Sequence, residues 1–136
     1  MPGATARYKP MLHIRVEHDG EAWPVQGLLD TGSDDTVFPR SLAERLRISL
    51  DGLPVTSATS AGGRPIQYAV ASVTLAIHDG TQSCRWNALV GFRLDSVKSL
   101  PLFGQLVFLQ FFTAEFLGDS HEVILTPNGS FPGTVT

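Results

Sequence analysis

The sequence is short of several things at once. It has one cysteine, two methionines, two tryptophans and two tyrosines, and only 17% of its 136 residues are charged. A lone thiol, Cys84, closes no disulfide within the chain, and its place in an alternating segment suits a small core residue better than a nucleophile. The ten basic residues form no cluster and the net charge is only -3, so the electrostatic footprint of a nucleic-acid binder is missing. No apolar run approaches the about 20 residues of a membrane span, and residues 1–10 hold nothing like the apolar stretch of a signal peptide. His13 and His18 fall on opposite faces of one expected strand, without partners at metal-ligand spacing. These absences predict a soluble, cytoplasmic protein with no nucleic-acid, membrane or metal partner.

What the chain does have is apolar residues, 43% of the total, with 13 glycines and 9 prolines to turn it. That composition describes a turn-rich globular protein, and the length suffices for one domain with a real core but not for two. We expect a domain over 11–127 between tails at 1–10 and 128–136.

Alternation supplies the strands. Met11 to His18 sets Leu12, Ile14, Val16 and His18 against Met11, His13, Arg15 and Glu17, and Asp19-Gly20 is a two-residue hairpin signal that returns Glu21 to Leu29 antiparallel. Ser41-Leu-Ala-Glu44 has the form of a capping box, predicting a short helix to about Arg47. Leu53–Thr59 and Ile66–Ile77 read as a long hairpin with a tip at Ser60–Pro65, where Gly62 and Gly63 sit together. A second Asp-Gly turn at Asp79-Gly80 leads to Thr81–Gly91, which buries Cys84, Trp86, Ala88 and Val90 on one face. Leu100-Pro-Leu-Phe-Gly104 then repeats the pattern of apolar strand and glycine. The run Gln105–Phe112 reads as a core helix, and Thr113–Leu117 with His121–Thr126 as a last hairpin about Gly118-Asp119.

One stretch organises the rest. In Leu28-Leu29-Asp30-Thr31-Gly32-Ser33 two large apolar residues run straight into a carboxylate, which is how a buried strand delivers an acid to a fixed place. Gly32 allows a backbone angle or a close approach that a side chain forbids, and the hydroxyls of Thr31 and Ser33 can bind backbone or the carboxylate. Other uses of a strand-end acid fit badly. A phosphatase with an Asp nucleophile wants a second acid two residues on, where Gly32 stands, and a calcium loop wants alternating acids with glycine sixth.

With Asp34-Asp35-Thr36-Val37 directly after it, the stretch resembles the active-site loop of the retroviral-type aspartic proteases, the retropepsins. That resemblance implies a mainly β, closed acid-protease barrel lobe with one or two short helices, paired with a second copy about a two-fold axis. It implies Asp30 as the catalytic acid, Thr31, Gly32 and Ser33 as loop support, with Thr31 bracing the two loops across the axis. Asp34, Asp35, Gly62 and Gly63 fall where substrate is met, the glycines at the tip of a mobile flap. Leu102, Phe103 and Gly104 match the second apolar-glycine element that crosses beneath the catalytic loop. Val37, Ile66 and Leu102 are further expected to line an apolar cleft.

Two departures stand out. Retroviral relatives follow that second glycine with Arg and then Asn or Asp, the Arg pairing with the first acid after the loop, whereas here Gln105 and Leu106 occupy those places and Asp34 loses that partner. The added hairpin after residue 112 is closer to cellular and bacterial relatives. Asp-Thr-Gly occurs once and the second element brings no acid, so the chain holds half of a two-carboxylate site. An isologous homodimer supplies the other half. The expected activity is cleavage of peptide or protein substrates without metal or organic cofactor. The alternative is a peptide-binding or dimerisation module of the same fold with weak or no proteolysis.

Overall fold

The computed structural model describes residues 10–59 and 63–136. Its first hairpin follows directly from alternation. β1 (Met11–His18) and β2 (Glu21–Leu29) pair antiparallel from Met11↔Leu28 to His18↔Glu21. The turn between them puts Asp19 at φ 45° and Gly20 at φ 80°, the left-handed pair that matches the twist of the flanking strands.

β3 (Val37–Phe38) follows the acidic loop, then α1 (Arg40–Arg45), β4 (Val55–Thr59), β5 (Pro65–His78), β6 (Ser83–Arg93) and β7 (Leu102–Phe103). The strands run in the order β6-β3-β7-β2-β1-β5, and β5 pairs again with β6, closing the ring. Closure leaves no open edge within those six strands. Two contacts in the ring are parallel, β2 with β7 and β3 with β6. They bring together segments about seventy and fifty residues apart in sequence, which no local pattern could register. β4 is appended outside β5, and its residues are largely exposed.

The barrel is filled by the inward faces that alternation selects: Ile14, Val16 and Val25 from the first hairpin, Val73 and Leu75 from β5, and Trp86, Ala88, Val90 and Phe92 from β6. Leu42, Ala43 and Leu46 of and beside α1 join the same core. Phe103 stacks on Phe108 with ring centroids 4.8 Å apart, and Trp86 meets Phe108, Phe112 and Phe131 edge to face. Such pairs contribute about 0.5–1.5 kcal/mol each beyond area burial.

Several expectations are corrected. The capping box is not used: Pro39, extended at φ −67° and ψ 154°, is the N-cap, its carbonyl accepts the Leu42 N–H, and Ser41 lies inside the helix. Proline fixes the entry to the helix two residues earlier than the serine pattern suggested. The apolar run Gln105–Phe112 forms no α-helix, only turns and a single 3-10 turn, Leu109–Phe111. Val107 takes φ 59° and Phe108 φ −132°, and the Gln110 side chain accepts the Val107 N–H at 2.6 Å. A β-branched residue in the left-handed region breaks helical propagation, and burying Phe108 against Phe103 and Trp86 favours that break. The second Asp-Gly turn is a four-residue loop, His78↔Ser83, in which Asp79 Oδ1 accepts the N–H groups of Thr81 and Gln82. The last hairpin forms as expected, β8 (Phe112–Leu117) with β9 (Glu122–Pro127), as a separate two-stranded sheet. Residues 128–136, read as a tail, carry Phe131 into the aromatic cluster and end in β10 (Thr134–Val135), which pairs with β6.

Candidate active site

β2 and β7 run side by side where the site begins. Leu28 lies opposite Leu102 and Leu29 opposite Phe103, and Leu29 and Phe103 are buried. Gly27 lets them meet: a Cβ there would stand 2.6 Å from the Phe103 ring and 2.8 Å from the Pro101 carbonyl. The Asp30 N–H makes one more bond across this seam, to the Phe103 carbonyl at 3.0 Å. The chain then leaves the sheet, with Asp30 half-buried at the barrel's rim.

The loop is built on that carboxyl group. The Gly32 N–H donates to Asp30 Oδ1 at 3.0 Å, and the Ser33 N–H to the Asp30 carbonyl at 3.2 Å. This is the turn an aspartate makes with its own backbone two residues on. Ser33 Oγ donates to the Asp35 carbonyl at 3.0 Å. Gly32 does not adopt a left-handed φ; it is the close approach that favours glycine, since a Cβ would lie 3.3 Å from Asp30 Oδ1. Thr31 is exposed at the loop's outer edge, as is Asp34.

Beneath lies the second apolar-glycine element. A Cβ on Gly104 would come within 2.6 Å of the Ser33 carbonyl and closer still to that of Asp35, so the two backbones touch only because residue 104 has no side chain. The N–H groups of Gln105 and Leu106 donate to the carbonyls of Ser33 and Asp34 at 2.9 and 2.8 Å. Thr36, the one buried polar residue among those described, ties the layers: its hydroxyl donates to the Leu106 carbonyl at 2.9 Å and accepts from the Gly104 N–H at 3.2 Å. The Gln105 side chain reaches the Thr31 carbonyl at 3.1 Å.

Beside the loop opens a cleft of about 260 Å³, lined by Asp35, Thr36, Val37, Thr56, Tyr68, Val70, Leu89, Val90, Gly91, Leu106 and Val107. Val37 lines it as expected, while Ile66 and Leu102 do not. Tyr68, Val70 and Leu106 escaped sequence reasoning: the first two belong to the alternating face of β5, and Leu106 was hidden in an assumed helix. Burial above all pushes the Tyr68 hydroxyl above its ordinary value, against the Arg93 guanidinium and with the Asp35 and Asp95 carboxylates. It therefore stays a neutral hydrogen-bonding group. Arg93 holds Asp95 through two bonds of 2.8 Å, and Asp95 Oδ1 accepts the Val97 N–H at 3.3 Å, which shapes the loop leading to β7. At the hairpin tip between β4 and β5, Gly63 has φ +78° with open space around it; Gly62 lies outside the described residues. No group of three metal-ligating side chains is assembled among the described residues, and no helix among them is long and apolar enough to cross a membrane.

A closed barrel with a strand-end Asp-Thr-Gly turn braced by a second apolar-glycine strand defines the retropepsin-like fold. A retropepsin-like aspartic protease from Rickettsia conorii has a similar structure, with a TM-score of 0.59 at 17% identity over 85% of this chain and 89% of that one. The EIAV protease in complex with an inhibitor aligns over 76% of this chain and 88% of that one, at 18% identity and a TM-score of 0.45. No curated protein matches the sequence. The aspartyl protease family model matches residues 14–105, more than half of the chain, and the protein belongs to that family.

Proposed function

We propose that the protein is an aspartic endopeptidase working as a two-fold homodimer, in which each subunit contributes Asp30. The observation that carries this reading is the asymmetry of the two apolar-glycine elements. One presents a half-buried acid on a rigid turn, and the other, packed against it, presents none. A water held between two carboxylates needs both. Two like charges about 3 Å apart do not both ionise, so the pair shares one proton. The ionised member takes a proton from the water as it attacks the scissile carbonyl, and the protonated member donates a hydrogen bond to the developing oxyanion.

Thr31, exposed at the loop's edge, is placed to meet its copy across the axis. The β4–β5 hairpin serves as the flap, with Gly63 as a conformationally free position at its tip. Substrate passes between flap and loop, contacting Asp34 and Asp35, and a medium-sized aliphatic side chain fills the cleft walled by Val37, Val70, Val90 and Leu106. The working domain spans 11–127, with residues 128–136 packed onto it through Phe131 and β10, in a soluble, cytoplasmic enzyme that uses no cofactor.

The test is incubation of the chain and of Asp30→Asn with a diverse peptide library over a range of pH, with and without a statine-type inhibitor. Wild type should cleave, the inhibitor should abolish cleavage, and Asp30→Asn should fold and dimerise while losing about 10²–10⁴-fold in rate. Cleavage at an undiminished rate in Asp30→Asn removes Asp30 from the role. Peptide binding without cleavage by the wild type leaves only the binding-module reading.

A further inference from the structure

We propose that Gln105 is a positioning residue for Asp30, acting through the single peptide group between Thr31 and Gly32; this deepens the protease reading above and rests on it. Two hydrogen bonds define the path. Gln105 Nε2 donates to the Thr31 carbonyl oxygen at 3.1 Å, and the Gly32 N–H donates to Asp30 Oδ1 at 3.0 Å. That carbonyl and that N–H are opposite ends of one planar, trans amide. Whatever turns one end turns the other.

Other restraints on this plane are few. β2 has ended at Leu29, and Thr31 and Gly32 are both exposed, so packing does not fix the amide. The bonds at its two ends do. Gln105 is itself well anchored. Its own N–H donates to the Ser33 carbonyl at 2.9 Å, and its carbonyl accepts the Gln110 N–H at 2.9 Å. One residue therefore binds the carbonyls on both sides of Gly32, Thr31 through its side chain and Ser33 through its backbone.

The chemistry explains why an uncharged amide suits the place. Only a donor can face a carbonyl, so the side-chain NH₂ must point at Thr31. Donation into the carbonyl polarises the amide and strengthens its N–H as a donor to the carboxylate, as in any hydrogen-bonded chain of amides. An ionised carboxylate at 105 could not donate, and it would bring a second negative charge toward Asp30. The side-chain bond goes to the loop backbone and not to Asp34, so residue 105 acts on the orientation of the catalytic acid and leaves the acidic residue after the loop alone.

Gln105→Met keeps the length and removes the donor, while Gln105→Glu restores a donor only when its carboxyl is protonated. Both are measured as full-length chain for kcat and KM against pH on a peptide the wild type cleaves, with unfolding midpoints as a control. Gln105→Met should lower kcat roughly tenfold, as a displacement well under 1 Å does, with KM and the midpoint unchanged. Gln105→Glu should match it near neutrality and recover toward wild type at the acid end of the profile. In ¹H–¹⁵N spectra the Gly32 amide proton should move upfield in Gln105→Met and exchange faster. An unchanged kcat in Gln105→Met, or two variants equally impaired at every pH, overturns the proposal. Should the wild type cleave nothing, the protease reading fails by itself. The Gly32 amide then decides the inference, and an unmoved resonance with unchanged exchange refutes it.

Discussion

Leu28-Leu29 and Leu102-Phe103 are two strands of the same local design, lying parallel and in register, each ending where a loop turns away from the barrel. Their continuations differ in kind. After Leu29 the chain puts Asp30 at the rim and wraps a polar turn about its carboxyl, with Thr31 and Gly32 exposed. After Phe103 it places Gly104, whose missing side chain lets the backbones of Ser33 and Asp35 press down upon it, followed by N–H groups that hold the first loop's carbonyls. One strand end presents an acid and little packing; the other presents packing and no acid. The pairing teaches that a precisely held acid needs support beneath it that carries no charge of its own. Glycine and a buried threonine supply it here without placing a competing charge beneath the carboxylate.

The two glycines give the sharpest way to break this comparison. Gly104→Ala should destabilise the fold by about 3 kcal/mol, because both obstructing atoms are backbone carbonyl oxygens that cannot swing aside. Gly32→Ala, whose Cβ would press only on Asp30 Oδ1, should stay within about 1 kcal/mol of wild type yet lose roughly tenfold in kcat as the carboxyl is displaced. Denaturant midpoints beside turnover rates check both. A Gly104→Ala protein as stable as its parent would dissolve the distinction between support and site.

Removing the tie between the layers should come next in size. Thr36→Val keeps the shape but strips partners from the buried Gly104 N–H and from the Leu106 carbonyl, for a loss of about 1–3 kcal/mol. The Gly104 amide should also lose protection from hydrogen exchange. Unchanged protection would mean that the hydroxyl is not the tie.

The smallest effect concerns the approach to β7. A hydrogen bond from Arg93, and then the Val97 N–H, hold the Asp95 carboxyl below its ordinary value of 3.8. A carboxyl lowered on folding stabilises the native state above its unfolded value, and that contribution is lost as pH falls through the lower folded value. Asp95→Asn should therefore unfold slightly earlier than its parent at about pH 6, and the difference should shrink as pH falls below the ordinary carboxylate value of 3.8. A difference that persists in acid would show that the ion pair is not its source.

Elements set by neighbours in sequence were legible beforehand. The alternation of Met11–His18 and the Asp19-Gly20 turn fixed a hairpin to the residue, since period-two burial and a left-handed turn are local facts. The alternating faces of β5 and β6 read correctly for the same reason, and so did Leu28-Leu29-Asp30-Thr31-Gly32 as a strand delivering an acid to a polar turn. The run Gln105–Phe112 misled, because its apolar composition is equally that of a helix and of a chain threading a core. What decided it was Phe108 packing on Phe103 and Trp86, residues 5 and 22 positions away, which drew Val107 into the left-handed region. Ser41 misled for a nearer reason, Pro39 having fixed the helix entry first.

The sequence alone thus determined the acid, the turn that holds it and the faces that bury. The tertiary structure decided which glycine lies under which carbonyl, that Thr36 bridges Gly104 and Leu106, and that Gln105 reaches Thr31 across 74 positions of chain. The physical reason is that periodicity and turn chemistry act between residues a few apart. Parallel registry such as Leu29 with Phe103 is set only when the whole barrel closes and each remaining backbone donor must find an acceptor.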